Sequence, residues 1–123
     1  MPSPQLASQV SVIVPTHSRA AMLVECLDAL LTQSVNALEI IVVDDASTDD
    51  TPSVVARYGD AVRYVRLDKQ SGKSAAVNLV LGNVRGEFVW IFDDDDVASP
   101  TAIERLSAPY RRSVARVQLW LVH

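Results

Sequence analysis

The sequence predicts an α/β domain built on a Rossmann-like parallel sheet, with helices on both of its faces. Short, continuously apolar runs alternate along the chain with segments of helical periodicity, a pattern typical of parallel strands buried on both sides. Right-handed crossover connections between four such strands favour the order 3-2-1-4. The chain of 123 residues, 49% of them hydrophobic, is long enough for one domain of this kind with one core.

The first strand and the first helix are marked by a change of period. Residues 1–9 contain two prolines and two serines, which indicates a flexible lead-in. The β-branched run 10–14 stops at Pro15, as a buried strand does. Ser18 is the predicted N-cap of the following helix, in which leucines recur at helical spacing. These leucines are Leu23, Leu27, Leu30 and Leu31.

The second strand is predicted from the apolar run 40–43, which ends abruptly in two aspartates. A loop of polar composition follows these aspartates. Thr51 and Pro52 then suit the N-cap and the first position of a helix, and Gly59 suits its end.

The same alternation continues through the third and fourth strands. Strands are predicted at 62–67 and 88–92. Between them lies a predicted helix at about 74–84, closed by Gly86. The apolar side of this helix is expected to carry Ala75, Leu79 and Val80.

The last part of the domain is a helix predicted to begin after Ser99-Pro100 and to end near Arg112. The domain therefore covers residues 10–112. A tail of residues 113–123 follows, and its apolar stretch from 114 to 122 is compatible with a fifth strand.

Charge and cysteine content exclude several classes of protein. Eleven basic and fifteen acidic residues give a net charge of −4 without a basic cluster, which argues against nucleic-acid binding. The single cysteine, Cys26, cannot form an internal disulfide, and its place on the apolar side of the first helix predicts core packing. No apolar run is long enough for a transmembrane segment. We expect a cytoplasmic protein, with the inner face of the membrane as a further option.

The residues that carry chemistry follow the ends of three predicted strands. Residues 15–17 follow strand 1, Asp44-Asp45 follows strand 2, and the aspartate run 93–96 follows strand 4. The carboxyl ends of parallel strands meet at one edge of the sheet, and ligands bind there where the strand order reverses. These three segments are therefore expected to converge on one crevice.

Four consecutive aspartates repel one another unless a positive charge compensates them. The aspartate run 93–96 is either a solvated acidic turn or a site for a divalent cation. Carboxylate oxygens suit Mg²⁺ or Mn²⁺, which use one or two carboxylates together with phosphate oxygens and water. In such a stretch one aspartate can reach the metal while another reaches a ribose hydroxyl.

The remaining candidates each have a structural and a functional interpretation. Asp44 and Asp45 either cap the backbone of the following loop or accept from a base or a sugar hydroxyl. The segment 72–74 can approach a phosphate through backbone N–H groups and the charge of Lys73, although it lacks the full P-loop spacing. His17 is either a surface histidine or a ligand contact.

Four segments together resemble family 2 glycosyltransferases, in the right order and spacing. The resemblance covers about residues 10–112, and its segments are 10–19, 41–49, 72–78 and 86–96. It implies the GT-A fold, a nucleotide-diphospho sugar donor, most simply a UDP-sugar, and Mn²⁺ or Mg²⁺ as cofactor. The acceptor implied is a glycan, a lipid-linked sugar or a protein.

The resemblance also implies roles for individual residues. Pro15, Thr16 and one of Asp44 and Asp45 would line the base pocket, and Lys73 would lie near the base or the phosphates. The residues predicted to bind the nucleotide are Pro15, Thr16, His17, Arg19, Asp44, Asp45, Gly72, Lys73, Asp93 and Asp94. The predicted metal ligands are Asp95 and Asp93, with Asp93 also directed toward the ribose.

Three departures from the family pattern stand out. Ser18 stands where the family usually has Asn, and Val77 replaces a common Arg. The family's acceptor site and general base lie in a following half, so the catalytic base is expected beyond residue 123. The alternative function is accordingly a truncated donor-binding fragment without activity, and the 114–122 tail is expected to promote self-association.

Two other classes match one segment each. The stretch 92–97 resembles the Asp-x-Asp-x-Val start of haloacid-dehalogenase-type phosphatases, but no Lys or Asp follows Val97 for that family's later motifs. The stretch 41–45 resembles the acidic strand end of receiver domains, but a whole strand and helix precede it.

Overall fold

The computed structural model describes residues 9–107 and 119–121. Strands and helices alternate along the described chain, as the sequence predicts. In chain order the elements are β1 (Val10–Thr16), α1 (Ala20–Leu31), β2 (Glu39–Asp44), α2 (Thr51–Ala56), a 3-10 turn (Gly59–Ala61), β3 (Arg63–Arg66), α3 (Lys73–Leu81), β4 (Phe88–Ile91), α4 (Ala102–Ser107) and β5 (Leu119–Leu121).

The sheet has the order β3-β2-β1-β4-β5, and its first four strands are parallel. The predicted order 3-2-1-4 is therefore confirmed. The tail contributes the short strand β5, which pairs antiparallel with β4 and places Leu119 opposite Trp90. The other tail residues, the expected helix end near Arg112 and the lead-in before residue 9 lie outside the described residues.

Pro15 does not end β1, contrary to the expectation from sequence. The strand continues through Pro15 to Thr16, and both pair with β2. The backbone of Ile13 bonds toward β4, since its carbonyl accepts from the N–H of Phe92 at 2.9 Å. Backbone groups along a strand face the two neighbouring strands alternately, so the nitrogen of Pro15, two residues after Ile13, also faces the β4 side. It lies beyond the last residue of β4 that pairs with β1. No sheet hydrogen bond is lost there, so a proline is tolerated.

Ser18 does not cap α1, and its predicted role is wrong. The N–H of Ala20 instead donates to Asp49 Oδ2 at 3.1 Å, so the cap comes from the loop between β2 and α2. Ser18 adopts φ 52°, a left-handed conformation that Asn adopts more readily, which accounts for the family's preference. Its N–H donates to Ser47 Oγ at 2.7 Å, and its Oγ accepts from the N–H of Thr48 at 2.9 Å.

The start of α2 is displaced by one residue from the prediction. Thr51 is the first helical residue and not the N-cap, which is Asp50. The backbone N–H of Thr51 donates to Asp49 Oδ1 at 3.0 Å, and its hydroxyl donates to the same oxygen. Asp49 therefore serves both helices. Gly59 follows the end of α2 with φ 56° and opens the 3-10 turn.

The core lies on both faces of the sheet, as predicted. Helices α1 and α4 cover one face, and the largest fully buried side chains there include Val12, Leu23, Leu27 and Ile103. Cys26 lies in the same cluster, so its predicted core packing is confirmed. Helix α3 covers the other face, where it packs on Ile13, Ile41, Val43, Val89 and Ile91.

The apolar side of α3 is shifted from the predicted one. Leu79 is 51% exposed, and Ala75 is exposed as well. The buried residues are Ala76, Val77 and Val80, which are short enough to bring the helix close to the sheet. Val77, which stands where the family often has Arg, is thus part of the core.

The loop between β2 and α2 yields a prediction about pH-dependent stability. The hydroxyl of Thr51, and further N–H groups including that of Ala20, lower the pKa of Asp49. A lowered folded pKa means that this stabilisation is present above the unfolded pKa, about 3.9, and is lost as pH falls through the folded value. We expect Asp49→Ala to lower the free energy of unfolding by about 1 kcal/mol at pH 7, as loss of a helix cap does.

Urea unfolding followed by circular dichroism at pH 7, 5 and 3 measures this difference, which should shrink toward pH 3. Asp50→Ala is the matched control, because the neighbouring side chain of Asp50 is exposed and makes no cap hydrogen bond. An equal loss of stability in both variants, or a difference independent of pH, would contradict the prediction.

Candidate functional site

A cleft of about 500 Å³ opens at the carboxyl ends of β1, β2 and β4. The three predicted segments converge there. The lining residues are Pro15, Thr16, His17, Arg19, Asp45, Gln70, Gly72, Lys73, Asp93, Asp94 and Asp95. Every residue predicted for nucleotide or metal is therefore brought together except Asp44. Gln70 was missed, because a glutamine in a loop carries no sequence signal for ligand binding.

Asp44 is a structural carboxylate. It is fully buried at the end of β2 and accepts from the N–H of Ser47 at 2.8 Å, from Arg66 at 3.0 Å and from the hydroxyl of Tyr64. Burial and the bond to Asp44 raise the pKa of Tyr64 to about 12. Ala46 adopts φ 61° in the same turn, a left-handed conformation that the bond from Ser47 to Asp44 holds in place. Of the two interpretations, loop capping applies to Asp44.

Asp45 lies in the cleft and connects two of its walls. Its Oδ1 accepts from the N–H of Ser71 at 2.7 Å, and its Oδ2 accepts from the N–H of Gly72 at 2.9 Å. Gly72 has φ 97°, a conformation that L side chains rarely adopt, and it directly precedes α3. The loop before α3 is therefore held against the end of β2.

His17 lines the cleft and has a defined tautomer. Its Nδ1 is 2.7 Å from the backbone oxygen of Asp45. A carbonyl oxygen only accepts hydrogen bonds, so Nδ1 carries the proton, and Nε2 is the acceptor of the neutral ring. The structure thus places His17 in the cleft wall and half-buried.

The aspartate run curls into a turn directly after β4. The N–H of Asp96 donates to the carbonyl oxygen of Asp93 at 3.1 Å. Asp93 forms an ion pair with Lys73, the first residue of α3. Asp95 lies 3.6 Å from Arg19 NH1, and Asp94 lies 3.1 Å from the same nitrogen. Two cations therefore offset the repulsion among the carboxylates.

Three carboxylates of the run are placed to share a cation. Asp93, Asp95 and Asp96 each offer an oxygen, and these oxygens lie within 4.8 Å of one another. Hard oxygen donors of this kind fit Mg²⁺ or Mn²⁺. Asp96 was not among the predicted ligands, because sequence spacing could not tell which members of the run face one another.

The buried side chain of Cys26 contacts the backbone of this turn. Its Sγ donates to the carbonyl oxygen of Asp93 at 3.7 Å. Burial, and the nearby aspartates after it, raise the pKa of the thiol to about 12. The thiol therefore stays protonated at neutral pH and is unreactive.

A parallel sheet of this order, with an acidic cleft at the carboxyl ends of its strands, defines a GT-A domain of the glycosyltransferase class. The chain belongs to glycosyl transferase family 2, whose profile matches residues 11–119. This match decides against the phosphatase and receiver classes. None of the helices within 9–107 has the length and hydrophobicity needed to cross a bilayer.

Curated relatives carry glycosyltransferase or biosynthetic names. The chain is 32% identical over 104 residues to glycosyltransferase GlyG of Streptococcus pneumoniae, covering 82% of this chain and 35% of that protein. It is 34% identical over 98 residues to the succinoglycan biosynthesis protein ExoO of Rhizobium meliloti, covering 79% and 28%. The chain thus spans about a third of the length of these relatives.

Solved structures of similar proteins contain nucleotides and a metal. S. aureus TarS in complex with UDP-GlcNAc is 33% identical with a TM-score of 0.75, covering 80% of this chain and 30% of that one. Both this complex and the one with UDP, which has a TM-score of 0.74, are of TarS 1–349. Mannosyltransferase PcManGT from Pyrobaculum calidifontis, in complex with GDP-Man and Mn²⁺, is 36% identical with a TM-score of 0.73, covering 88% and 33%.

The contrast between Asp44 and the exposed aspartates generates a prediction about stability. Asp44→Asn should lower the free energy of unfolding by about 2 kcal/mol, because Arg66 and Tyr64 lose a shared buried anion. Asp96→Asn is the matched control, because Asp96 is exposed, and we expect it to leave stability unchanged or slightly higher. Urea unfolding at pH 7 measures both, and equal losses would show that Asp44 is not the structural member of the set.

Proposed function

We propose that the protein transfers a sugar from a nucleotide-diphospho sugar to an acceptor hydroxyl in a metal-dependent reaction. The observation that carries the proposal is that Asp93 and Asp95 line the cleft together with Lys73 and Arg19, and that Asp96 groups with these two aspartates. Family membership makes glycosyl transfer the relevant chemistry. The nucleotide and metal in the similar solved structures support a donor of this type.

The acidic end of the cleft is proposed to hold the metal. Asp95 and Asp93 would bind Mn²⁺ or Mg²⁺, with Asp96 as a further ligand. When bound, the cation neutralises the diphosphate and stabilises the charge that develops on the leaving nucleotide. Lys73 and Arg19 line the same end, and they contribute further positive charge toward phosphate oxygens.

The other end of the cleft is proposed to hold the nucleoside. Pro15, Thr16 and His17, at the end of β1, line the cleft together with Asp45 and Gly72. Nε2 of His17 and the carboxylate of Asp45 are acceptors suited to the N–H of a base or to a ribose hydroxyl. We propose UDP as the nucleotide, by analogy with the TarS complexes, while the GDP-Man complex shows that similar proteins differ in base.

None of the described residues is assigned a role in binding the acceptor. No general base is assigned among the described residues either, and we propose that the acceptor is a glycan, a lipid-linked sugar or a protein. Transfer of a hexose in polysaccharide biosynthesis is proposed by analogy with the mannosyltransferase PcManGT and with ExoO, a succinoglycan biosynthesis protein. The second candidate, donor binding without transfer by this chain alone, is supported by the coverage, since the chain matches 35% of GlyG and 28% of ExoO. We also propose that the protein is located in the cytoplasm, with the inner face of the membrane as a further option.

Metal dependence of nucleotide binding is the first test. Calorimetric titration of UDP into the chain should show binding with MnCl₂ and at least tenfold weaker binding with EDTA, because the aspartates repel a diphosphate without a cation. Asp95→Asn should remove the effect of MnCl₂. Asp60→Asn, an exposed carboxylate outside the cleft, should retain it. Equal binding with and without metal would contradict the proposal.

A transfer assay separates the two candidate functions. We expect the 123-residue chain to bind UDP but to release no sugar from a UDP-sugar donor, because general-base assistance contributes about 10²- to 10⁴-fold in rate. Light scattering on the same sample tests the predicted self-association through the 114–122 tail, of which residues 119–121 already pair with β4. Rapid turnover by a monomer would contradict the expectation.

A further inference from the structure

Asp94 differs from the other aspartates of the run in burial and in contacts. Its side chain is 8% exposed, whereas that of Asp95 is 50% exposed. Its Oδ2 accepts from the hydroxyl of Thr16 at 2.8 Å, and its Oδ1 accepts from Arg19 NH1 at 3.1 Å. Both carboxylate oxygens are thus engaged by side chains that follow or end β1.

Arg19 links this buried carboxylate to the open cleft. It directly precedes α1, and half of its side chain is exposed. Its NH1 is shared between Asp94 and Asp95, while its Nε and NH2 have no hydrogen-bond partner among the described residues. The pair with Asp94 is the stronger of the two, because Asp94 is buried and Asp95 is screened by solvent.

We propose that Asp94 is a positioning residue, and that Arg19, held by Asp94, is the group that meets the donor's diphosphate. An arginine side chain has many rotamers, and fixing it beforehand lowers the entropic cost of binding. The remaining N–H groups of the guanidinium suit a phosphate oxygen. This inference rests on the proposed function, and it replaces the sequence-based assignment of Asp94 as a nucleotide ligand.

The test is a double-mutant cycle read by affinity for UDP in the presence of MnCl₂. Asp94→Asn keeps the size of the side chain and an acceptor for Thr16, but it removes the buried anion that holds Arg19 and leaves only the exposed Asp95 beside it. Asp94→Asn and Arg19→Ala should each weaken UDP binding about tenfold, the loss expected for a hydrogen bond to a charged group. The double variant should be no weaker than Arg19→Ala within about twofold, because the two residues act as one unit.

Uridine, which lacks phosphate, separates positioning from direct contact with the nucleoside. Its affinity, measured by NMR titration, should be unchanged in Asp94→Asn. An equal loss for uridine and UDP would make Asp94 a nucleoside ligand and overturn the inference, and so would additive effects in the cycle. Asp60→Asn is the control and should bind UDP like the wild type.

A second variant keeps the test decisive if Asp94→Asn does not fold. Arg19→Lys retains the positive charge beside Asp94, but a single ammonium group cannot contact Asp94 and a phosphate in the way that a planar guanidinium can. The affinity for UDP should therefore fall about tenfold, and the affinity for uridine should not change. Wild-type affinity in Arg19→Lys would overturn the inference. Absence of UDP binding by the wild type would overturn the proposed function and this inference together, whereas unchanged UDP affinity in Asp94→Asn would overturn the inference alone.

Discussion

The pairing of β1 with a longer strand on one side and a shorter one on the other is the constraint on which the cleft depends. β2 pairs with β1 as far as Thr16, whereas β4 pairs only as far as Ile13. The chain after β4 therefore leaves the sheet early and curls beside the end of β1. This difference in length makes room for the cleft and brings the aspartate run next to Thr16, with which Asp94 forms a hydrogen bond.

A second set of interactions holds the loops that form the walls. Asp49 caps α1 from the loop before α2, and Asp45 binds the backbone before α3. Asp44 accepts from Arg66 of β3 and from the backbone of its own loop. Each of these carboxylates satisfies N–H groups that would otherwise lack partners, so the wall loops are held to one another by side chains as well as to the sheet.

Carboxylates at the same edge of the sheet therefore divide into two kinds. Asp44 and Asp94 are buried and engaged by donors of the protein, whereas Asp95 and Asp96 are exposed and grouped with Asp93. The second kind is suited to a cation, because its oxygens are accessible and close together. Arg19 forms an ion pair with a carboxylate of the first kind, Asp94, and Lys73 forms one with Asp93 of the second group. Both cationic side chains also line the cleft.

The sequence by itself determined the alternation of strands and helices, the parallel order 3-2-1-4 and the family. These follow from local periodicity, from the handedness of crossovers and from motifs at strand ends, which need no knowledge of contacts. It also placed the aspartates at the correct edge. The tertiary structure alone decided which hydrogen-bond donors each of them contacts. Asp49 and not Ser18 caps α1, and Asp44 and Asp45 accept from different groups, because donors such as those of Ala20, Arg66 and Ser71 lie about 20 to 30 residues away along the chain. Sequence spacing records only neighbours along the chain, whereas burial and donor supply depend on which loops meet in space.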